Sequence, residues 1–151
     1  MIAEYKLYHG AVLAELVDRR VGPVSVDELS EEGRLSCYIL DGKVGMMVKH
    51  SAQRLYPWTF TFTTQNLLEL DDLRRRTRAS FVVLVCSTDG MVCLTVAELG
   101  GLMALTGQDQ AGVRVERRRR RMYGVSGGGE KLGHKKPSGL DAILEALSSE
   151  G

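Results

Sequence analysis

Arginine is the residue whose placement in this sequence carries the clearest chemical bias. Arg117, Arg118, Arg119, Arg120 and Arg121 run without interruption, preceded by Arg114 in an alternation with Val113, Val115 and Glu116, and followed by Tyr123, Lys131, Lys135 and Lys136. A guanidinium fork matches phosphate oxygens, each neutralised phosphate adds a salt-dependent increment to binding, and a tyrosine beside such a run can stack on a base. Segment 113–138 holds six arginines and three lysines against two glutamates. The 151-residue chain nevertheless has a formal net charge of only +1, so the excess of seven positive charges here faces six negative ones elsewhere. Two readings stay open. One is a surface that grips nucleic acid. The other is a solvated edge strand, protected from aggregation by its charge and paired with acids such as Asp71 and Asp72, with an acidic partner, or with a second copy of the chain.

A second cluster, Lys49-His50-Ser51, stands before Pro57 and Trp58, whose types imply a packed corner. Together with His9 these residues are pocket candidates: His9, His50, Ser51 and Trp58. His9, His50 and His134 have no ligand spacing among themselves, and the sequence contains neither G-x-S-x-G nor H-E-x-x-H. The glycines at 127–129 invite comparison with a phosphate loop. Gly133 is followed by His134-Lys135, where that motif needs Lys-Ser/Thr, and Pro137 blocks an uninterrupted helix. A flexible basic loop over about 126–138, able to order on a polyanion, is the expectation. Cys37, Cys86 and Cys93 lie in apolar runs without disulfide or metal spacing, as buried free thiols do.

These residues must be positioned by the elements around them. Helical spacing over 4–20 stops at Gly22-Pro23, and the acidic stretch 24–34 reads as a loop or short turn. Residues 36–40 and 43–49 flank Asp41-Gly42, a strong hairpin signal. Trp58, Phe60 and Phe62 alternate with threonines, predicting a half-buried third strand that completes an antiparallel meander. Asn66 with Glu69 resembles a capping pair for the helix after it, 81–86 is a continuous apolar strand, and 91–96 returns from it. Thr95 with Glu98 opens a helix closed by Gly107, and Ser138 with Asp141 opens a last one. Charge on both faces of the arginine segment predicts an edge strand or a projecting ribbon. The expectation is an α+β protein with a mainly antiparallel sheet, helices on one face and an αβββαβ-like core.

The leading order of elements, Glu15 late in the first helix, and the hairpin "LSCYILDGKVGMMVKHS" ending in Val-Lys together resemble the PD-(D/E)XK nuclease superfamily, the restriction-endonuclease-like fold, over roughly residues 4–86. The resemblance implies two carboxylates on adjacent strands holding a divalent cation, magnesium or manganese, with a lysine two residues after the second. Matching Lys49 to that lysine brings Met47 to one metal-ligand position and Ser36 or Cys37 to the other. Glu15, Asp41 and Lys49 are the catalytic candidates it leaves, and the metal is unassigned. The expected function is therefore a nucleic-acid-associated module on a nuclease-like scaffold without a complete catalytic site. The alternatives are a structural or protein-interaction domain, and a metal-dependent nuclease with relocated ligands.

Length and composition, 44% hydrophobic and 26% charged, fit one globular domain spanning residues 1–151. The N-terminus does not read as a signal peptide, and no apolar run approaches the roughly 20 residues of a membrane span. A cytoplasmic location without membrane contact is the expectation.

Overall fold

The computed structural model describes residues 1–31, 34–103, 110–117 and 122–149. Among them are four helices and nine strands in two mostly antiparallel sheets, an α+β fold. Helix α1 (Glu4–Arg19) precedes β1 (Val26–Glu31), β2 (Arg34–Leu40) and β3 (Val44–Ser51), which form an antiparallel meander. Asp41 and Gly42 both take positive φ, 51° and 67°, as the turn between β2 and β3 requires. Helix α2 (Thr64–Arg76) then carries the chain to β5 (Ala79–Cys86), parallel to β3, and β6 (Gly90–Thr95) returns beside β5. The first sheet thus has the order β1-β2-β3-β5-β6.

Two expectations about the meander are corrected. Its first strand is β1, in the acidic stretch read as a loop or turn. An edge strand needs backbone pairing more than apolar alternation, and its carboxylates discourage further pairing. The Trp58 strand, β4 (Trp58–Thr63), leaves the meander and joins a second sheet with β7 (Gln110–Glu116), β8 (Gly124–Gly127) and β9 (Glu130–Lys131), in the order β4-β7-β8-β9. Strand β7 is therefore an interior strand and neither an edge nor a ribbon. It tolerates that position because Val113 and Val115 are buried while Arg114 and Glu116 face solvent. Arg118, Arg119, Arg120 and Arg121 lie outside the described residues. Part of the segment read as a flexible loop forms the β8–β9 hairpin, turning at Gly128 and Gly129 with φ of 54° and 84°, and Tyr123 bridges to Lys136 beyond it.

Helices cover both faces of the first sheet, where one face was expected. Helix α1 and α4 (Asp141–Ser148) bury Val12, Leu16, Ile143 and Leu147 against Met46, Val83 and Val85. On the other face α2 and α3 (Val96–Leu102) pack with the second sheet around Met47, Val82, Leu84, Trp58 and Phe60. Strand β5 is buried on both sides, which is why its sequence runs apolar without alternation. Helix α3 opens on the expected Thr95–Glu98 capping box. The cap of α2 is Thr63 with Asn66, three residues before the expected pair, and Ser138 caps no helix: its hydroxyl accepts from the Met91 amide at 3.3 Å. Gly107 lies outside the described residues.

Candidate functional site

The three catalytic candidates are dispersed. Glu15 sits on α1, on the opposite face of the first sheet from Lys49, and pairs with Arg19 at 3.0 Å. Asp41 occupies the β2–β3 turn, where it accepts from the Ser25 amide at 2.9 Å and holds Arg20 at 3.1 Å. From Val44, just after that turn, to Lys49 is about 17 Å of strand. Lys49 Nζ donates to Asn66 Oδ1 at 2.9 Å and lies 5.5 Å from the centre of the Phe62 ring. Burial holds its amine below the ordinary lysine value, with Glu69 acting in the opposite sense.

The positions that the resemblance assigns to metal ligands do come together: Cys37 and Met47 are directly paired across β2 and β3, and both are buried in the cluster beneath α2. Their chemistry does not fit a hard divalent cation. A thioether is a poor ligand for magnesium or manganese, and burial pushes the Cys37 thiol up to about 12, so it stays protonated. Beside them a cleft of about 400 Å³ is lined by Cys37, Glu69 and Asp72, with Asp72 already paired to Arg76 at 3.0 Å. Glu69 was read from sequence only as part of a cap. Its position three residues after Asn66, on one helical face, is the signal that links it to Lys49. Among the described residues no group of three histidine, cysteine, aspartate or glutamate side chains is arranged to hold a metal ion.

The pocket candidates belong to packed structure. His9 is buried, 2.7 Å from the Tyr38 hydroxyl in a hydrogen bond. His50 stacks on Tyr8 at 4.5 Å and faces Glu4 at 3.5 Å. Ser51 Oγ accepts from the Gln53 amide at 3.4 Å, and the buried Trp58 donates from Nε1 to the Gln53 carbonyl at 2.8 Å. The corner inferred from Pro57 and Trp58 is thus tied down at both ends.

Basic residues of the arginine and lysine segment divide sharply. Tyr123, expected to offer a stacking surface, is fully buried, and its hydroxyl donates to Asp89 Oδ2 at 2.5 Å. Arg117 reaches the same oxygen at 2.9 Å and covers the Tyr123 ring at 4.7 Å. Lys136 is also drawn inward, its amine bridging both Glu98 oxygens at 2.8 and 2.7 Å, while His134 approaches Glu98 at 3.3 Å. Arg114, Lys131 and Lys135 remain exposed. Arg114 pairs in register with Ser126, Ser126 with Lys131, and Thr59 with Arg114, which places Thr59, Arg114, Ser126 and Lys131 in one row across the second sheet. At about 4.8 Å per strand the two cations stand on backbones about 10 Å apart. The row crosses a shallow groove of about 460 Å³ bordered by Gly112 and Gly127 to Gly129. Around the sheet edge a second cleft, of about 500 Å³, is lined by Lys131, His134 and Lys135. Glu116 shares that cleft and binds Arg114 at 2.7 Å.

Among the described residues no helix is long and apolar enough to cross a membrane. No protein-family model matches the chain, and neither a curated protein nor a solved structure shows detectable similarity to it.

Proposed function

We propose that this chain is a nucleic-acid-associated module that binds a phosphate backbone on the second sheet and does not itself cut it. The carrying observation is the row of Thr59, Arg114, Ser126 and Lys131, two cations and two hydroxyls facing solvent over a floor kept low by glycine. Such a row offers charge-assisted contacts to successive phosphates with little side-chain bulk in the way. Lys135, exposed in the cleft that Lys131 also lines, adds positive charge beside the row. Setting aside β4, which lies between β3 and α2 in the chain but belongs to the second sheet, the elements of the first sheet follow the order α1-β1-β2-β3-α2-β5, which supports a nuclease-like scaffold. The pairing of Met47 with Cys37 speaks against cleavage by a bound cation. Three buried free thiols suit a reducing, cytoplasmic setting.

The reading is tested with Arg114→Ser/Lys131→Ser. Two lost phosphate contacts should weaken binding to DNA or RNA and reduce the slope of log K against log salt by about 1.4 to 1.8, with magnesium-dependent cleavage absent in wild type and variant. Binding that ignores salt would overturn it. Cleavage of plasmid or single-stranded DNA that is lost in Lys49→Ala would replace it with the nuclease.

A further inference from the structure

We infer that Tyr56 is a base-stacking platform, so that the preferred ligand is single-stranded nucleic acid; this rests on the phosphate-binding reading of the second sheet. Trp58 faces Val115 and Glu116 faces Gly124 in register. Tyr56 precedes Trp58 by two residues, Arg117 follows Val115 by two, and Met122 precedes Gly124 by two, so all three emerge at one end of the sheet. Leu55, Tyr56 and Met122 are 73%, 52% and 51% exposed there. They share that end with Arg54, which is exposed, and with the half-buried Arg117.

The platform is held in place. The Tyr56 ring lies 6.5 Å from that of Trp58, tilted by 57°, and Trp58 lies 6.1 Å from Tyr123, which Arg117 covers. Behind it, Trp58 Nε1 fixes the Gln53 carbonyl and so the loop that presents Tyr56. Tyr56 is three residues from Thr59 in the cationic row, at most about 11 Å along the chain. Trp58 faces the core and Thr59 and Arg114 face solvent, so a strand whose phosphates lie on Arg114 reaches the exposed ring by passing over this end of the sheet. Bases in a duplex already stack on their neighbours; an unpaired base has a free face, and a ring accepts it whatever its sequence.

The test measures affinity of the full chain for oligo(dT), oligo(U) and a duplex of equal length, at two salt concentrations, for wild type, Tyr56→Ala and Tyr56→Phe. Both single strands should bind more tightly than the duplex. Tyr56→Ala should lower single-strand affinity about 5- to 150-fold with the salt slope unchanged, and Tyr56→Phe should retain it because stacking needs the ring alone. The two single strands distinguish DNA from RNA as the source of the bases. An unchanged thermal midpoint is expected for both variants, and Leu55→Ser reports on the patch independently should Tyr56→Ala unfold. Equal affinity for duplex and single strand, with no loss in either Tyr56→Ala or Leu55→Ser, would overturn the inference while leaving phosphate binding intact. Absence of salt-sensitive binding by the wild type would instead remove the parent reading. A wild-type dimer that Tyr56→Ala converts to monomer would assign the patch to a second copy and overturn the inference.

Discussion

Tyr123 and Asp89, 34 residues apart in sequence, are joined by a hydrogen bond of 2.5 Å that ties the entry to β8 to the turn between β5 and β6. Arg117 holds the same carboxylate, so the exit of the chain from β7 and its re-entry at Tyr123 are anchored on one oxygen. Tyr123→Phe keeps the buried ring and removes the hydrogen bond donated to Asp89 together with the one accepted from Arg117 at 3.2 Å. A loss of about 1.5–3 kcal/mol is expected in urea unfolding. An unchanged midpoint would mean that Arg117 alone satisfies Asp89.

Gly90 sits beneath this junction. A Cβ there would meet the Tyr123 hydroxyl, and Ser138 Oγ at 2.6 Å. Gly90→Ala should destabilise by about 1–3 kcal/mol. Because one clashing atom is the same hydroxyl, adding Tyr123→Phe should cost less than the sum of the two single changes, which a double-mutant cycle reads directly.

Acid stability is governed in part by His9. Burial, with the nearby His50, lowers it from 6.5 to about 4. As pH falls the unfolded chain takes up the proton first, so stability is lost progressively from about 6.5 down to about 4 and changes no further below that. His9→Gln keeps a polar partner for Tyr38 and cannot titrate; its thermal midpoint should vary less over that window. An acid limb as steep as wild type would assign the effect to other groups.

At high pH the thiols act in the opposite direction. Burial raises Cys37, Cys86 and Cys93 from 9.0 to about 12 each. The folded state keeps protons that the unfolded state releases, so stability falls as pH rises from about 9 towards about 12, by about 1.4 kcal/mol per pH unit for each thiol. Lys49, lowered by burial, contributes a rise with pH, but it is one group against three. Urea midpoints between pH 8 and 10.5 should decline, and Cys93→Ala should decline less steeply. A flat profile would contradict the burial of these groups.

What was legible in the sequence was local. The Asp41-Gly42 turn and the Thr95–Glu98 box each rest on residues within one turn of chain, and both form where their spacing places them. Strand β1 was missed because only its pairing with β2 makes VDELSE extended. The interior position of β7 depends on β4, nearly fifty residues earlier, so charge alone misread it as an edge. For the same reason Lys136 and Tyr123 looked like ligand-facing groups: their partners, Glu98 and Asp89, are 38 and 34 residues away. Tyr56 carries no motif, and its presentation comes from the Trp58 contact to Gln53.

The two sheets are interleaved along the chain, with β4 lying between β3 and β5 in sequence while belonging to the other sheet. During synthesis, every strand of the first sheet has been made by Thr95, yet β4 still lacks its partner. From its own completion at Thr63, the strand of Trp58, Phe60 and Phe62 waits about 47 residues for β7 to begin, or roughly 2 to 9 s at 5–20 residues per second. Over that interval a nascent chain shows an aromatic strand with both backbone edges unpaired, a form that chaperones bind and that aggregates. A chain ending near Thr95 would hold that state permanently, so the C-terminal third is what makes the N-terminal two-thirds safe to produce.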